Sequence, residues 1–233
     1  MQEQKVICIG WHKTGTTTLG DALLILGYRV LGARLDMAEY LLREDTQTPI
    51  ALAGNFDALQ DVPWNALYQE LDQTYPGSKF ILTVRDENKW LESAQKHFKE
   101  TYTPMREWLY GEGVLLGNEA LYLERFRQHY QEVTSYFAGR EDDLLVLDLT
   151  AGDKWEKLCT FLGQPIPERA FPHSNKGKHQ YNRIEKLVDQ LKSLIPMPLR
   201  LLRMRLLRLL GQPDPRNRFS NRQAHDQMRE RRK

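Results

Sequence analysis

Hydrophobic positions along this chain group in two ways. Short unbroken runs occur at Lys5–Ile9 (KVICI), Tyr28–Leu31, Lys79–Val84 (KFILTV) and Leu144–Leu147 (LLVL). Apolar runs of that length, carrying β-branched residues, predict strands buried on both faces. Between them, apolar residues recur at helical spacing over Thr18–Leu26, Asp36–Arg43, Glu119–Phe137 and Asp153–Leu162, the last stopped by Gly163. Pro63 fits the first turn of a helix expected to run to Tyr75, where Pro76-Gly77 breaks it, and Asp86 caps another running to about Glu100. Ile50–Ala53 is expected as a short extended segment ahead of Asp57 and Asp61. Strands alternating with helices predict an α/β fold of three layers, a central mainly parallel sheet flanked by helices.

Length and composition narrow this to one well-cored domain with an appendage: 233 residues, 41% hydrophobic and 27% charged. The domain is expected over residues 1–183 and a basic, amphipathic helical extension and tail over 184–233. Formal net charge is only +2, yet from Met197 to Lys233 eleven Lys and Arg face three Asp and Glu, a net of +8. Residues 1–196 therefore hold 22 basic against 28 acidic groups, or −6, so the basic character belongs to the tail. Two cysteines make no disulfide framework, and Cys8 and Cys159 fall on apolar positions, where they read as small buried hydrophobes. Met1–Lys5 leads straight into the first strand with no secretory leader pattern, so the expected address is the cytoplasm.

Chemistry first surfaces in the turn between the first strand and first helix. Gly10-Trp-His-Lys-Thr-Gly15-Thr-Thr has the G-x-x-x-x-G frame of a phosphate-binding loop, but Thr16 stands where the usual lysine follows the second glycine, and the lysine is at position 13. Glycines let backbone amides approach an anion, the following helix points its positive end at it, and threonine hydroxyls add donors. A phosphoryl-transfer loop needs its lysine and Ser/Thr arranged around β- and γ-phosphates and magnesium. A sulfuryl group in transfer has no extra negative charge to neutralise, so a single lysine near the bridging oxygen suffices and metal is dispensable.

Beyond the KFILTV strand stand Arg85 and, eight residues later, Ser93 in RDENKWLESAQKHF. An arginine ending a strand and a serine two turns into the next helix can both face the crevice where open α/β sheets bind ligands. The alternative is that Arg85 merely pairs with Asp61 or Asp86.

Together the two motifs resemble those of the P-loop sulfotransferase superfamily, whose 5′-phosphosulfate loop has the consensus P-K-S-G-T-T and whose 3′-phosphate motif is an arginine with a serine eight residues on. In HKTGTTTL, His12 stands at the proline and Thr14 at the serine, and Thr18 stands where many members carry tryptophan. The resemblance implies a P-loop-type fold and an enzyme using 3′-phosphoadenosine-5′-phosphosulfate (PAPS), with 3′-phosphoadenosine 5′-phosphate as product nucleotide. It implies that Lys13 contacts the bridging oxygen, with Thr14, Gly15, Thr16, Thr17 and Thr18 around the phosphosulfate and Arg85 and Ser93 on the 3′-phosphate. Asp148-Leu149, FLG at 161–163 and the run from Phe171 to Lys178 are similar to closing segments of a small sulfotransferase subfamily. A late basic loop there would give Lys176, Gly177 and Lys178 to the 3′-phosphate.

An acceptor hydroxyl must lose its proton during or after attack on sulfur, so a base is needed within reach. Asp61 is the expected base, from its place before a helix and near the strand tops; its competing reading is a helix cap. Asp57, Asp36 and His12 remain alternatives, while His97 reads as a solvated helix residue and His173 as part of the late loop. No His, Cys or carboxylate spacing suits a metal, so none is expected. Trp64, Tyr68, Phe98, Tyr102, Trp108 and Tyr110 read mainly as core but together permit an apolar or lipid-like small-molecule acceptor. Pro198–Leu210 (PLRLLRMRLLRLL) interleaves leucine and arginine as a basic amphipathic helix, fit either to pack on the domain or to contact an anionic membrane surface. No base-reading module accompanies it, so no specific nucleic acid is expected. Two other classes stay open: a nucleotide kinase or NTPase, from the glycine frame and LLVLD, and a non-catalytic nucleotide- or membrane-surface-binding protein.

Overall fold

Side chains alternate across a strand with a period of two, and here that alternation sorts the strand residues into two separate cores. The computed structural model describes residues 4–98, 100–150 and 154–173. Five strands, β1 (Val6–Cys8), β2 (Val30–Leu31), β3 (Ala58–Gln60), β4 (Lys79–Val84) and β5 (Leu144–Asp148), form one sheet in the order β2-β3-β1-β4-β5. Every pairing is parallel, with Cys8 level with Gln60 and Ile81, and Val84 level with Asp148. Ile7, Ile9, Leu31, Leu59, Phe80 and Leu82 point to one face, and Val6, Cys8, Val30, Ala58, Ile81 and Leu147 to the other.

The second face is covered by α1 (Thr16–Ile25) and α8 (Lys154–Leu162), through Leu19, Ala22, Leu23, Leu158 and Cys159. The first is covered by α2 (Ala38–Leu41), α3 (Gln47–Ala53), α4 (Tyr68–Thr74), α5 (Glu87–Phe98), α6 (Pro104–Tyr110) and α7 (Glu119–Tyr136). Burying each large aliphatic side chain contributes on the order of 1.5–3 kcal/mol, and both faces need cover because these strands carry no polar face. The three-layer α/β architecture with a parallel sheet is the one expected from the alternation of runs.

Local reading failed in three places. Ile50–Ala53 is not extended but the end of α3; Asp45 accepts hydrogen bonds from the Thr48 amide (3.0 Å) and hydroxyl (2.7 Å), and Pro49 falls in the first turn, where its missing N–H costs nothing. The strand in that region is the shorter Ala58–Gln60. The helix expected to start at Pro63 starts at Tyr68: after the cis Val62–Pro63 bond the chain makes a turn, with Ala66 and Leu67 amides bonded to the Pro63 carbonyl. Trp64 leaves the helical path to donate its indole N–H to Gly32 O at 2.9 Å. Helix α6 was not anticipated, although Thr103 caps it by accepting from the Arg106 amide at 3.0 Å and Pro104 opens it.

Candidate functional site

Parallel strands bring their carboxyl ends to one edge, and there the turns after β1, β3, β4 and β5 meet. The turn after β1 is shaped by its carbonyls. Trp11 O accepts from the Thr14 amide at 3.2 Å and hydroxyl at 2.6 Å, His12 O from the Trp90 indole at 2.8 Å, and Lys13 O from Arg85 Nη1 at 2.8 Å. With three successive acceptors held by donors, Lys13 adopts φ 69° and Gly15 φ 104°. α1 then begins at Thr16 without any side-chain cap, leaving the amides of its first turn with no acceptor inside the helix. That combination of amides, helix dipole and two cations suits an anion.

Of the two glycines of the frame, Gly10 is required by close approach and Gly15 by its backbone conformation. A Cβ on Gly10 would lie 1.8 Å from Thr83 Oγ1 and 2.8 Å from the Thr83 amide nitrogen. On Gly15, already in the left-handed region, it would lie 2.5 Å from Leu149 Cδ1, which sits over the loop from the end of β5.

The threonines separate in role. Thr14 is turned inward: its hydroxyl donates to Trp11 O and lies 2.5 Å from Thr83 Oγ1, which must donate to it, and its amide is spent in the turn. It therefore braces the loop against β4. The buried Thr16 hydroxyl donates to Asp61 Oδ2 at 2.8 Å, so Thr16 has only its amide for an anion. Thr17 is exposed and Thr18 half-buried.

Asp61 stands immediately beyond β3 with φ 70°, one oxygen on Thr16 and the other accepting the Val62 amide at 2.8 Å. It is thus no helix cap. Burial raises its pKa above the ordinary carboxylate value, opposed by the Thr16 and Val62 hydrogen bonds and the Lys13 charge. Burial lowers the Lys13 pKa; Arg85 adds to that and Asp61 opposes it. The other carboxylates are elsewhere. Asp57 precedes β3 at the opposite edge of the sheet and grips Arg29, about 13 Å from Asp61 at roughly 3.3 Å per residue. Asp36 pairs with Arg34, whose amide in turn donates to Val62 O at 2.8 Å.

Arg85 bonds neither Asp61 nor Asp86; Asp86 instead caps α5 by accepting the Lys89 amide at 3.0 Å. The indole of Trp90 on His12 O shows which side of α5 turns to the loop, and Ser93, three residues on and partly buried, shares that side. His97 on the same helix is exposed.

His12 is no surface base. It is 6% exposed, lies among the rings of Trp11, Trp90, Phe98 and Tyr110, and its Nε2 bonds the Tyr110 hydroxyl. Burial, followed by the charges of Arg106 and Lys13, holds its pKa well below the usual imidazole value. Trp64, Tyr68, Tyr102 and Tyr110 are buried and Phe98 and Trp108 pack against the same core, and of this group Tyr110 and Phe98 meet the loop at Trp11 and His12. Sequence reasoning missed Thr83, Trp90 and His129, whose only signal was a buried helical or strand position, and read Tyr110 as core or acceptor lining with no link to His12.

Lys176, Gly177, Lys178, the segment Pro198–Leu210 and the boundary at 183/184 lie outside the described residues. Among the described residues no group of three His, Cys, Asp or Glu is arranged to hold a metal ion, and no helix is long and apolar enough to cross a membrane. Cys8 and Cys159 are buried, and burial pushes both thiols up.

Comparison with known proteins meets this geometry from the other side. The chain is 30% identical over 148 residues to Ava biosynthesis cluster protein M of Aspergillus versicolor, covering 52% of this chain and 55% of that protein. It thus spans little more than half the length of that curated relative. The model of the sulfotransferase domain matches residues 5–113 and 97–180, which takes in the loop, Asp61, Arg85 and Ser93. By that match, which runs over most of its length, the chain belongs to the sulfotransferase domain family.

Proposed function

We propose that this chain moves a sulfuryl group from PAPS to an acceptor hydroxyl or amine by in-line displacement. The observation that supports the reading is the Arg85 Nη1 to Lys13 O hydrogen bond at 2.8 Å, which brings the two motifs, 72 residues apart, against each other. In this reading the uncapped start of α1 and Lys13 take the 5′-phosphosulfate, while Arg85, with donors to spare beyond the one it gives Lys13, and Ser93 take the 3′-phosphate. Lys176, Gly177 and Lys178 are assigned to the same phosphate.

The acceptor oxygen or nitrogen forms a bond to sulfur as the bond from sulfur to the bridging oxygen breaks. The electron pair goes to the departing phosphate oxygen, where the Lys13 ammonium stabilises it. The acceptor's proton goes to Asp61, whose raised pKa makes it a better base than an exposed carboxylate. No step needs a metal ion. The fungal relative's name places that protein in a biosynthesis cluster, which fits a small-molecule acceptor here.

One contact favours a second reading. A carboxylate ending the strand beside the loop and bonded to the first helical threonine, as Asp61 is to Thr16, is also where a phosphoryl-transfer enzyme holds magnesium. Calorimetry separates the two. The sulfuryl-transfer reading expects 3′-phosphoadenosine 5′-phosphate to bind in EDTA far more tightly than AMP or ATP; tight binding of ATP that requires magnesium would establish the other. Asp61→Asn should then keep nucleotide affinity and lose roughly 10²–10⁴-fold in turnover of radiolabelled PAPS. Near-full turnover would remove Asp61 as the base.

A further inference from the structure

We propose that His12 and Tyr110 are positioning residues for Lys13, so that helix α6, which carries Tyr110 and gives no group to the anion site itself, sets the aim of its ammonium. The proposal rests on the reading that Lys13 serves the departing oxygen.

Lys13 holds a left-handed backbone, φ 69°, that a side chain with a Cβ rarely adopts unaided. Its neighbour His12 is fixed at both ends. The main-chain oxygen takes the Trp90 indole N–H at 2.8 Å, and the imidazole Nε2 meets the Tyr110 hydroxyl. Donor logic orders the second contact. An indole N–H can only donate, so the Tyr110 oxygen accepts from Trp11 Nε1 at 2.6 Å, and the phenol proton, which needs an acceptor in this buried place, has His12 Nε2 as its partner. His12 is therefore a neutral acceptor at Nε2, with its lone pair there already engaged. It orients its neighbour and is not placed to deprotonate an acceptor.

Tyr110 is itself immobilised. Its ring stacks on Tyr122 with centroids 3.7 Å apart and planes 10° from parallel, and the Tyr122 hydroxyl donates to Glu112 O at 2.7 Å. On the other side of Trp11, the His129 ring lies 4.4 Å away and His129 Nε2 donates to Ile9 O at 2.7 Å. Residues 9 to 12 are thus clamped by α5, α6 and α7, and the next bond along the chain is Lys13. A clamp that only stabilised the fold would not need to converge on the one residue preceding the lysine from both its carbonyl and its imidazole.

The test uses the full chain, with calorimetric affinity for 3′-phosphoadenosine 5′-phosphate and the single-turnover rate of sulfuryl transfer from PAPS to 4-nitrophenol. Tyr110→Phe removes one oxygen and His12→Leu the acceptor nitrogen; each should slow transfer roughly 10- to 100-fold, the scale of a misaimed group, with affinity changed less than about threefold. His12→Gln puts an amide oxygen near the place of Nε2 and should recover most of the rate. In a Lys13→Ala background Tyr110→Phe should have no further effect, because nothing is left to aim. Affinity falling in step with rate, no rescue by Gln, or an undiminished effect without Lys13 would each overturn the proposal. If Tyr110→Phe does not fold, the contrast of His12→Gln with His12→Leu decides alone. Failure of the underlying reading looks different: wild-type protein would then not transfer sulfuryl at all, and the aim of Lys13 would fall with it.

Discussion

The two faces of the sheet do different work. The α1/α8 side of the sheet holds Val6, Cys8, Leu19, Ala22, Leu23, Val30, Ala58, Ile81, Leu147 and Leu158, a mainly aliphatic layer with no buried histidine among the described residues. Against α2–α7 lie Trp11, Trp64, Tyr68, Trp90, Tyr110 and Tyr122, with His12 and His129 buried among them. Aliphatic burial is strong but has no direction, so the α1/α8 face holds α1 to the sheet without placing a side-chain cap on its start. On the α2–α7 face buried N–H and O–H groups seek partners, and Trp90, Tyr110 and His129 find theirs on the loop or on the strand leading to it. Satisfying those groups fixes where the loop is, which apolar contact alone would not.

Paired substitutions test that contrast most severely. Trp11→Ala should cost about 4 kcal/mol in urea unfolding, and Leu23→Ala about 3 kcal/mol, since both side chains are almost fully buried. The difference lies in calorimetry of the folded variants: nucleotide affinity should drop at least about tenfold for Trp11→Ala and stay within about twofold for Leu23→Ala. Similar losses of binding in both would erase the distinction between the faces.

A smaller effect concerns pH, because the two histidines buried among the described residues, His12 and His129, belong to the α2–α7 face. Burial lowers His129 to about 4 and His12 well below its ordinary value of 6.5. Between those values the unfolded chain binds a proton at each that the folded chain refuses, so stability is full above pH 6.5 and is lost as pH falls toward 4. Each group contributes a slope of at most about 1.4 kcal/mol per pH unit. Unfolding free energies at pH 7, 6 and 5 should fall less steeply for His129→Gln than for wild type, by up to one proton. Identical slopes would mean that His129 is charged in the fold.

The smallest effect separates bracing from binding within the loop. Thr83→Val removes the donor to Thr14 and should cost about 1 kcal/mol, with turnover reduced by less than about threefold. A turnover loss as large as that expected for Lys13 would show Thr83 to be more than a brace.

Determined by the sequence alone were the features that depend on near neighbours. β4 spans Lys79–Val84, α7 runs through Glu119–Tyr136, Asp86 caps α5 and Gly10 and Gly15 frame the loop, because period, cap and turn chemistry act over two to four residues. Where two local signals competed, as at Thr48-Pro49-Ile50, the apolar run alone misled and the Asp45 bonds to Thr48 with Pro49 in the first turn prevailed. Sequence position favoured Asp61 over Asp57, but where each side chain stands relative to the loop was beyond such reasoning. They lie four residues apart in sequence, but the three residues of β3 carry them to opposite edges of the sheet, and only the order β2-β3-β1-β4-β5 puts the second one beside Thr16 and Lys13. Tertiary structure likewise decided that Thr14 faces Thr83 and that His12 faces Tyr110, 98 residues away. Those partners are chosen by how buried polar groups are satisfied across the packed layers, and no window of neighbouring residues contains that information.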